Sequence, residues 1–484
     1  MLNSYKNKYQ YRDFKLSDLG ERLARLQRIA QAKGIGAIII IDGWESSGRG
    51  TIIKELTEGL NPKHFKVKVF DRDRSFYPYM GRFWQNIPTY GDLTIFNRSY
   101  YFDLFNDLTI DEKLLEERLF AIKSFEQTLY NDHLLILKFF IDVDQATQTE
   151  RIHAFTDTDY QSFYVDTFDQ DQNENYDDYR KHMNNILERT SYPYLNWHII
   201  DSSKVKNAAR EVLGRTIEGF QKAIERVAIR REDGIRLFRD YQETEYTLEN
   251  LDLSPTLSRK KYDALKEDLQ EEAYKTILKL RNKGIYTTLV FEGMDAAGKD
   301  GAIERLIKKM DPRVYTVHAI SAPDQTELAH NYLWRFYNRF TQRPHLDIFS
   351  RSWYGRVMVE RIEGFATENE WERAYDEMTE MEKHLVDCNS LVLKFFVMID
   401  KETQLERFAA REKDVDKQYK ITNEDWRNRN RWDDYVEAMN EMLVRTNKDY
   451  APWIIIEGND KQHARIKVIK EFIKHGKQKL AEIE

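Results

Sequence analysis

The chain is written twice. IIIIDGWESSGRGTII at 38–53 runs parallel to TLVFEGMDAAGKDGAI at 288–303, so that Gly43 corresponds to Gly293 at an offset of 250. IFNRSYY at 95–101 returns as IFSRSWY at 348–354, an offset of 253. LLILKFFIDVD at 134–144 returns as LVLKFFVMIDK at 391–401, and ILERTSYPYLNW at 186–197 as MLVRTNKDYAPW at 442–453, both offset by 256 or 257. Blocks in one order with a drift of a few residues are the signature of a duplicated domain carrying small loop insertions. A chain of 484 residues is long for one core, and each half could bury its own. The expected division is an N-terminal domain over 1–245 and a C-terminal domain over 256–484. The polar segment QETEYTLENLDLSPTLS, with Pro255 inside it, is the expected linker.

Within each copy, apolar runs alternate with amphipathic segments. TTLVFEG and LVLKFFVMI are apolar throughout instead of alternating, as strands covered on both faces are. In ENEWERAYDEMTEMEKHL the residues Trp371, Ala374, Tyr375, Met378 and Leu385 share one helical face, a plain core stripe. The pattern predicts an α/β fold of tandem duplicated domains, each a mainly parallel sheet between helices. The apolar runs are far shorter than the roughly 20 residues that cross a bilayer. With no secretory layout at the N-terminus, a cytoplasmic protein without a membrane partner is expected. Cys388 is the single cysteine, so no intrachain disulfide can form. A net charge of -7 gives no support to nucleic-acid binding.

The chemistry concentrates at the repeated glycine turn. Gly293, Gly298 and Lys299 satisfy the G-x-x-x-x-G-K part of a P-loop, after a strand and before a helix expected to start near Ala302. The frame Gly293, Ala296, Ala297, Gly298, Asp300 and Gly301 would curl the backbone so that N–H groups face phosphate oxygens, with Lys299 adding a full charge. Two departures stand out. Asp300 occupies the place of the usual magnesium-binding Ser or Thr, and Asp295 puts a carboxylate inside an anion cradle, where it could hold magnesium or accept a proton. The first copy has Glu45, Gly48 and Arg49 instead. A forked arginine does not replace a lysine threaded through a phosphate loop, so that copy is expected to be catalytically degenerate.

Taken together, FEGMDAAGKDGAIERL at 291–306, FSRSWYGRVMVERIEGF at 349–365, LVLKFFVMIDKETQLERFAAR at 391–411, KQYKITNEDWRNRNRWDDYVEAM at 417–439 and APW at 451–453 resemble the polyphosphate kinase 2 family in its fused two-domain form. The resemblance covers nearly all of both halves. It implies a P-loop kinase-like fold with a helical lid and a magnesium-dependent transfer of the terminal phosphoryl group of inorganic polyphosphate to AMP, giving ADP, in the C-terminal copy. It carries catalytic roles onto Asp295, Lys299 and Arg351, with Asp295 as the metal ligand. Arg356 and Glu360 become nucleotide contacts, although their spacing of four also suits a helical salt bridge. Arg411, Lys417 and Lys420 become lid residues closing on the polyphosphate chain, within a basic run that also holds Arg407, Arg427, Arg429 and Arg431. Trp334, Trp353 and Trp432 are candidates to stack on adenine or to fill the core.

The chain departs from the family pattern where an Asp is expected before Arg-Ser-Trp-Tyr. Ser350 stands there, and Asn97 in the first copy, while Asp347 should point to the opposite face of its strand. Two other readings therefore stay open: an ATP-dependent P-loop nucleotide kinase, and a polyphosphate binder with impaired catalysis. Homo-oligomerisation is also open, since two copies in one chain can mimic a dimer.

Overall fold

The computed structural model describes residues 1–2, 9–70, 75–157, 165, 167–233, 248–416, 418 and 421–482. Two compact units emerge, Met1–Gly234 together with Gln325–Trp334, and Ile235–Asp324 together with Arg335–Glu484.

The first unit has five strands, β1 (Ala37–Gly43), β2 (Phe65–Val69), β3 (Leu93–Asn97), β4 (Leu135–Asp142) and β5 (Trp197–Asp201). All are parallel, in the order β2-β3-β1-β4-β5. The second unit repeats them as β6 (Tyr286–Gly293), β7 (Tyr315–Ala319), β8 (Leu346–Ser350), β9 (Ser390–Met398) and β10 (Trp453–Glu457), in the order β7-β8-β6-β9-β10. In register, Leu289 faces Ile348 on one side and Leu393 on the other, as Ile39 faces Ile95 and Leu137. The central strand β1 is buried along its whole length, which is why it reads AIIII without alternation.

Helices of eight residues or more in the first unit are α1 (Leu16–Ala32), α2 (Arg49–Thr57), α3 (Glu112–Asn131), α4 (Gln145–Thr156), α5 (Thr167–Glu174), α6 (Tyr176–Arg189) and α7 (Val205–Asp233). Those in the second are α8 (Arg259–Asn282), α9 (Lys299–Leu306), α10 (Glu368–Asp387), α11 (Lys401–Lys413), α12 (Asn423–Asn430), α13 (Trp432–Thr446) and α14 (Lys461–Ala481). Leu19, Leu23, Ile52, Leu56, Val212 and Phe220 bring α1, α2 and α7 onto one face of the first sheet. The Trp371 stripe does pack as predicted: Ala374, Tyr375, Met378 and Leu385 are buried on α10. No helix among the described residues is long and apolar enough to cross a membrane.

A lysine stands inside each otherwise apolar strand β4 and β9, and both are fully buried. Lys394 Nζ donates to Glu382 at 2.7 Å, Tyr354 Oη at 3.0 Å and the Thr446 carbonyl at 2.7 Å. Lys138 makes the same three bonds to Glu126, Tyr101 and Thr190. The buried ammonium is tolerated because all three protons have partners. Each lysine ties its strand to a helix, α3 in one unit and α10 in the other.

The strand order matters for function. β1 and β6 lie where the chain's path reverses between its two neighbours, the place where sheets of this kind present their ligand sites. Each unit's glycine turn follows that strand, and in the second unit the turn lines an open cavity.

Candidate active site

Strand β6 ends at Gly293, where φ is +133° and an added Cβ would lie 2.1 Å from the Val397 carbonyl oxygen of β9. Only glycine lets the chain leave the sheet so close to its neighbour. The turn passes through Ala296 at φ +61° and Gly298 at φ +106°. Helix α9 then begins at Lys299, three residues before the expected start near Ala302, because the left-handed Gly298 serves as its N-cap. Met294 and Ala297 spend their N–H groups on the Val397 and Met294 carbonyls, while the first N–H groups of α9 have no partner within the helix and its end favours an anion. Half-buried Lys299 folds back, its Nζ donating to the Gly293 carbonyl at 2.7 Å and the Met294 carbonyl at 3.1 Å. Loss of water pushes its pKa down, while nearby Asp295 works the other way.

Arg407, on α11, holds this loop from behind. One guanidinium nitrogen donates to the Ala296 and Ala297 carbonyls at 2.9 and 2.8 Å, and the other to the Gly458 and Asn459 carbonyls at 2.6 and 3.0 Å. With its donors committed to carbonyls, Arg407 braces the loop instead of acting as a lid cation. Arg151 repeats the brace in the first unit, bonding the Ser46 and Ser202 carbonyls.

Asp295 is mostly shielded, with Arg351 3.5 Å from one carboxylate oxygen. Asn428 Nδ2 donates to the other at 3.0 Å. Arg351, at the end of β8, is half exposed; burial disfavours its charge, but Asp295 and Glu292 outweigh that and raise its pKa. Ser350 Oγ donates to Asp300 Oδ1 at 2.9 Å, so a carboxylate does reach the end of β8, from α9. Asp347 is turned away as predicted, buried against His318 and Thr341. Behind the loop, buried Glu292 accepts from Ser352 Oγ at 2.8 Å, and burial raises its pKa.

Two cavities meet here. The larger, about 970 Å³, is lined by the loop 295–301, Ser350, Arg351, Arg407, Arg411, Lys461 and Arg465. Arg465, from the first turns of α14, lies across α9 so closely that a Cβ at Gly301 would be 3.2 Å from its Nη2. The smaller, about 80 Å³, is largely apolar, with Met358, Val359, Trp432, Tyr435 and Met439 in its wall. Asp295, Lys299, Arg351, Glu424 and Asn428 line both.

The structure thus brings Asp295, Lys299, Arg351, Asp300, Gly301 and Arg411 to one cleft. Arg356 and Glu360 form a 3.0 Å salt bridge with each other and are not among the residues lining either cavity. Lys417 and Lys420 lie outside the described residues. Trp353 is core, donating to Glu382, whereas Trp432 reaches the small cavity. Sequence reasoning missed Lys461, Arg465 and Asn428. The repeat held the signal for the first two, because the first copy has Val205 and Ala209 at the matching places.

In the first unit the matching loop is closed by its own side chains. Glu45 is almost fully buried, 2.6 Å from Arg49 and 3.0 Å from Arg98. Burial opposes the charge on Glu45, but the two arginines hold its pKa below the usual carboxylate value. Phe155, Val205 and Ala209 stand where the second unit has Arg411, Lys461 and Arg465, and an added Cβ at Gly48 would lie 2.9 Å from Val205.

Comparison with known proteins agrees in both halves. The family model of Polyphosphate kinase 2 matches residues 5–227 and again 256–483. A polyphosphate:AMP phosphotransferase of Pseudomonas syringae pv. tomato is 36% identical over 90% of this chain and 88% of its own length. One from Pseudomonas aeruginosa is 36% identical over 94% of this chain and 93% of its own. A crystal structure of a Pseudomonas aeruginosa polyphosphate kinase 2 superposes with a TM-score of 0.83 at 33% identity, covering 99% of this chain and 98% of that one. With two domain matches and full-length relatives on both counts, the chain belongs to the polyphosphate kinase 2 family.

Proposed function

We propose that this protein transfers the terminal phosphoryl group of inorganic polyphosphate to AMP, giving ADP, in the C-terminal domain (256–484). The observation that carries this reading is the pair of unlike cavities sharing Asp295, Lys299 and Arg351. The large arm sets Lys299, Arg351, Arg407, Arg411, Lys461 and Arg465 beside the carboxylates Asp295, Asp300, Glu304, Glu424 and Asp425, a lining that suits a polyanionic donor bound with a cation. The small, largely apolar arm offers Trp432 and Met439 to one end of an acceptor. A phosphate oxygen of AMP attacks the terminal phosphorus where the arms meet. The bridging P–O bond breaks, and the polyphosphate leaves one unit shorter. Arg411, Lys461 and Arg465 hold the donor chain; Lys299 and Arg351 neutralise charge on the transferring group; Asp295 orients the reacting ends. Phosphoryl transfer asks for little more than such positioning and neutralisation.

Kinases of this family are generally divalent-metal dependent, and the cleft suits magnesium. That ion keeps several waters and binds through one or two carboxylates plus substrate phosphates. Asp295 and Asp300 offer carboxylates, while no preformed cage of three or more ligating side chains stands among the described residues. Bound there, magnesium would withdraw charge from the phosphoryl oxygens. The N-terminal domain (1–245) is read as degenerate, its cradle closed by Glu45, Arg49 and Arg98.

The test is ADP formation from AMP and polyphosphate, with and without magnesium. Lys299→Ala should lower kcat by at least about 100-fold. The paired change Glu45→Gln/Arg49→Met, which removes both buried charges of the closed loop, should leave the rate within about twofold. A wild-type protein that binds polyphosphate yet makes no ADP would instead favour the impaired binder. Preference for ATP as donor would favour the nucleotide kinase.

A further inference from the structure

Asp295 is held from two sides. One carboxylate oxygen faces Arg351, and the other accepts from Asn428 Nδ2 at 3.0 Å. Asn428 belongs to α12, within the stretch that the resemblance assigns to the lid. Its amide is in turn fixed, because Tyr435 Oη on α13 donates to Asn428 Oδ1 at 3.0 Å. The direction of this chain is forced: a carboxylate only accepts, so the NH₂ end must face Asp295, and the carbonyl end then needs a donor. Tyr435 can supply one across the working pH range. Burial, then the nearby Glu363 and Asp295, raise its phenol pKa and keep the proton on.

The first unit lacks this chain. Gln172 stands at the position of Asn428, but its Oε1 accepts from the Glu45 backbone N–H at 2.8 Å and its Nε2 donates to Asn106 at 3.0 Å. Tyr179, at the position of Tyr435, donates to Asp171. The same topology therefore connects to the loop backbone in the closed unit and to the loop carboxylate in the open one.

We propose that Asn428 and Tyr435 are positioning residues for the reaction, a two-step hydrogen-bonded tie from α13 through α12 that sets the orientation of the Asp295 carboxylate at the junction of the donor and acceptor cavities. This rests on the reading of Asp295 given under Proposed function. Because Tyr435 also lines the acceptor cavity, its loss through acceptor binding and its loss through the tie must be told apart. They act on different constants, since misplacing a group at the reacting centre lowers kcat, whereas losing a cavity contact raises KM.

The experiment is a double-mutant cycle on full-length protein, with kcat and both KM values measured for Asn428→Ala, Tyr435→Phe and the pair. Asn428→Ala should lower kcat by about 10-fold or more, with each KM moving less than about threefold. Tyr435→Phe should lower kcat by about threefold, and the pair should match Asn428→Ala alone, because Tyr435 acts through Asn428. Asn428→Ser, which keeps a shorter donor, should recover part of the rate and serves if the alanine variant melts early. Multiplicative losses in the pair, or changes confined to the KM for AMP, overturn the proposal. An inactive wild-type protein would sink the functional reading itself and is scored separately.

Discussion

Arg407 and Arg411 sit one helical turn apart on α11, carry the same charge and have different roles. Arg407 spends its guanidinium on four loop carbonyls, while Arg411 lines the cleft. Residue type cannot separate them; only the direction of each side chain does. Ser350 shows the same point from the other side. Its strand position offers no carboxylate, yet Asp300, fifty positions earlier in the chain, places one against it. Asp300→Asn is accordingly expected to raise the magnesium concentration for half-maximal rate by about 10-fold, and Ser350→Ala by less than about threefold. Magnesium titration of initial rates, with manganese binding followed by electron paramagnetic resonance, measures both. Equal effects would mean that the serine hydroxyl matters in its own right.

At the scale of elements, what could be read beforehand was what repeats and what alternates. The apolar runs marked the strands, the Trp371 stripe marked α10, and the glycine frame marked the loop. The buried lysine of each LKFF segment was harder, because a charge inside an apolar run declares no partner until helix and strand are packed together. Its energetics are testable. Lys394→Met alone should destabilise the second unit by about 3–5 kcal/mol, since Glu382 would be left buried and unpaired. Lys394→Met/Glu382→Leu should recover only part of that loss, because Trp353 Nε1 and Tyr354 Oη then lose their shared acceptor. Thermal or urea unfolding of the three proteins gives the comparison, and similar instability in single and double variants would show that the pair's shape matters more than its charge. Arg356 and Glu360 belong here too. Their spacing fitted both a nucleotide contact and a helical pair; they stand on two successive short helices, Trp353–Val357 and Val359–Ile362, and meet at 3.0 Å.

Across the whole molecule, duplication made the architecture readable and left the division of labour to side chains. A ligand that binds only the folded form adds RT ln(1 + [L]/Kd) to stability, about 2.7 kcal/mol at a hundredfold excess over Kd. Among the described residues, the second unit's cradle lines an open cavity, whereas Glu45, Arg49 and Arg98 fill the matching loop of the first. Polyphosphate should therefore raise the melting temperature of the second unit and leave that of the first in place, separating two transitions as its concentration rises; scanning calorimetry at several concentrations would show this, and equal shifts of both would contradict the closed loop. With its transition left in place, the Glu45–Arg49–Arg98 knot would make the first unit a built-in reference. It carries its counterions covalently, so neither dilution nor competition can remove them, and its stability records everything that happens to the solution except the presence of substrate.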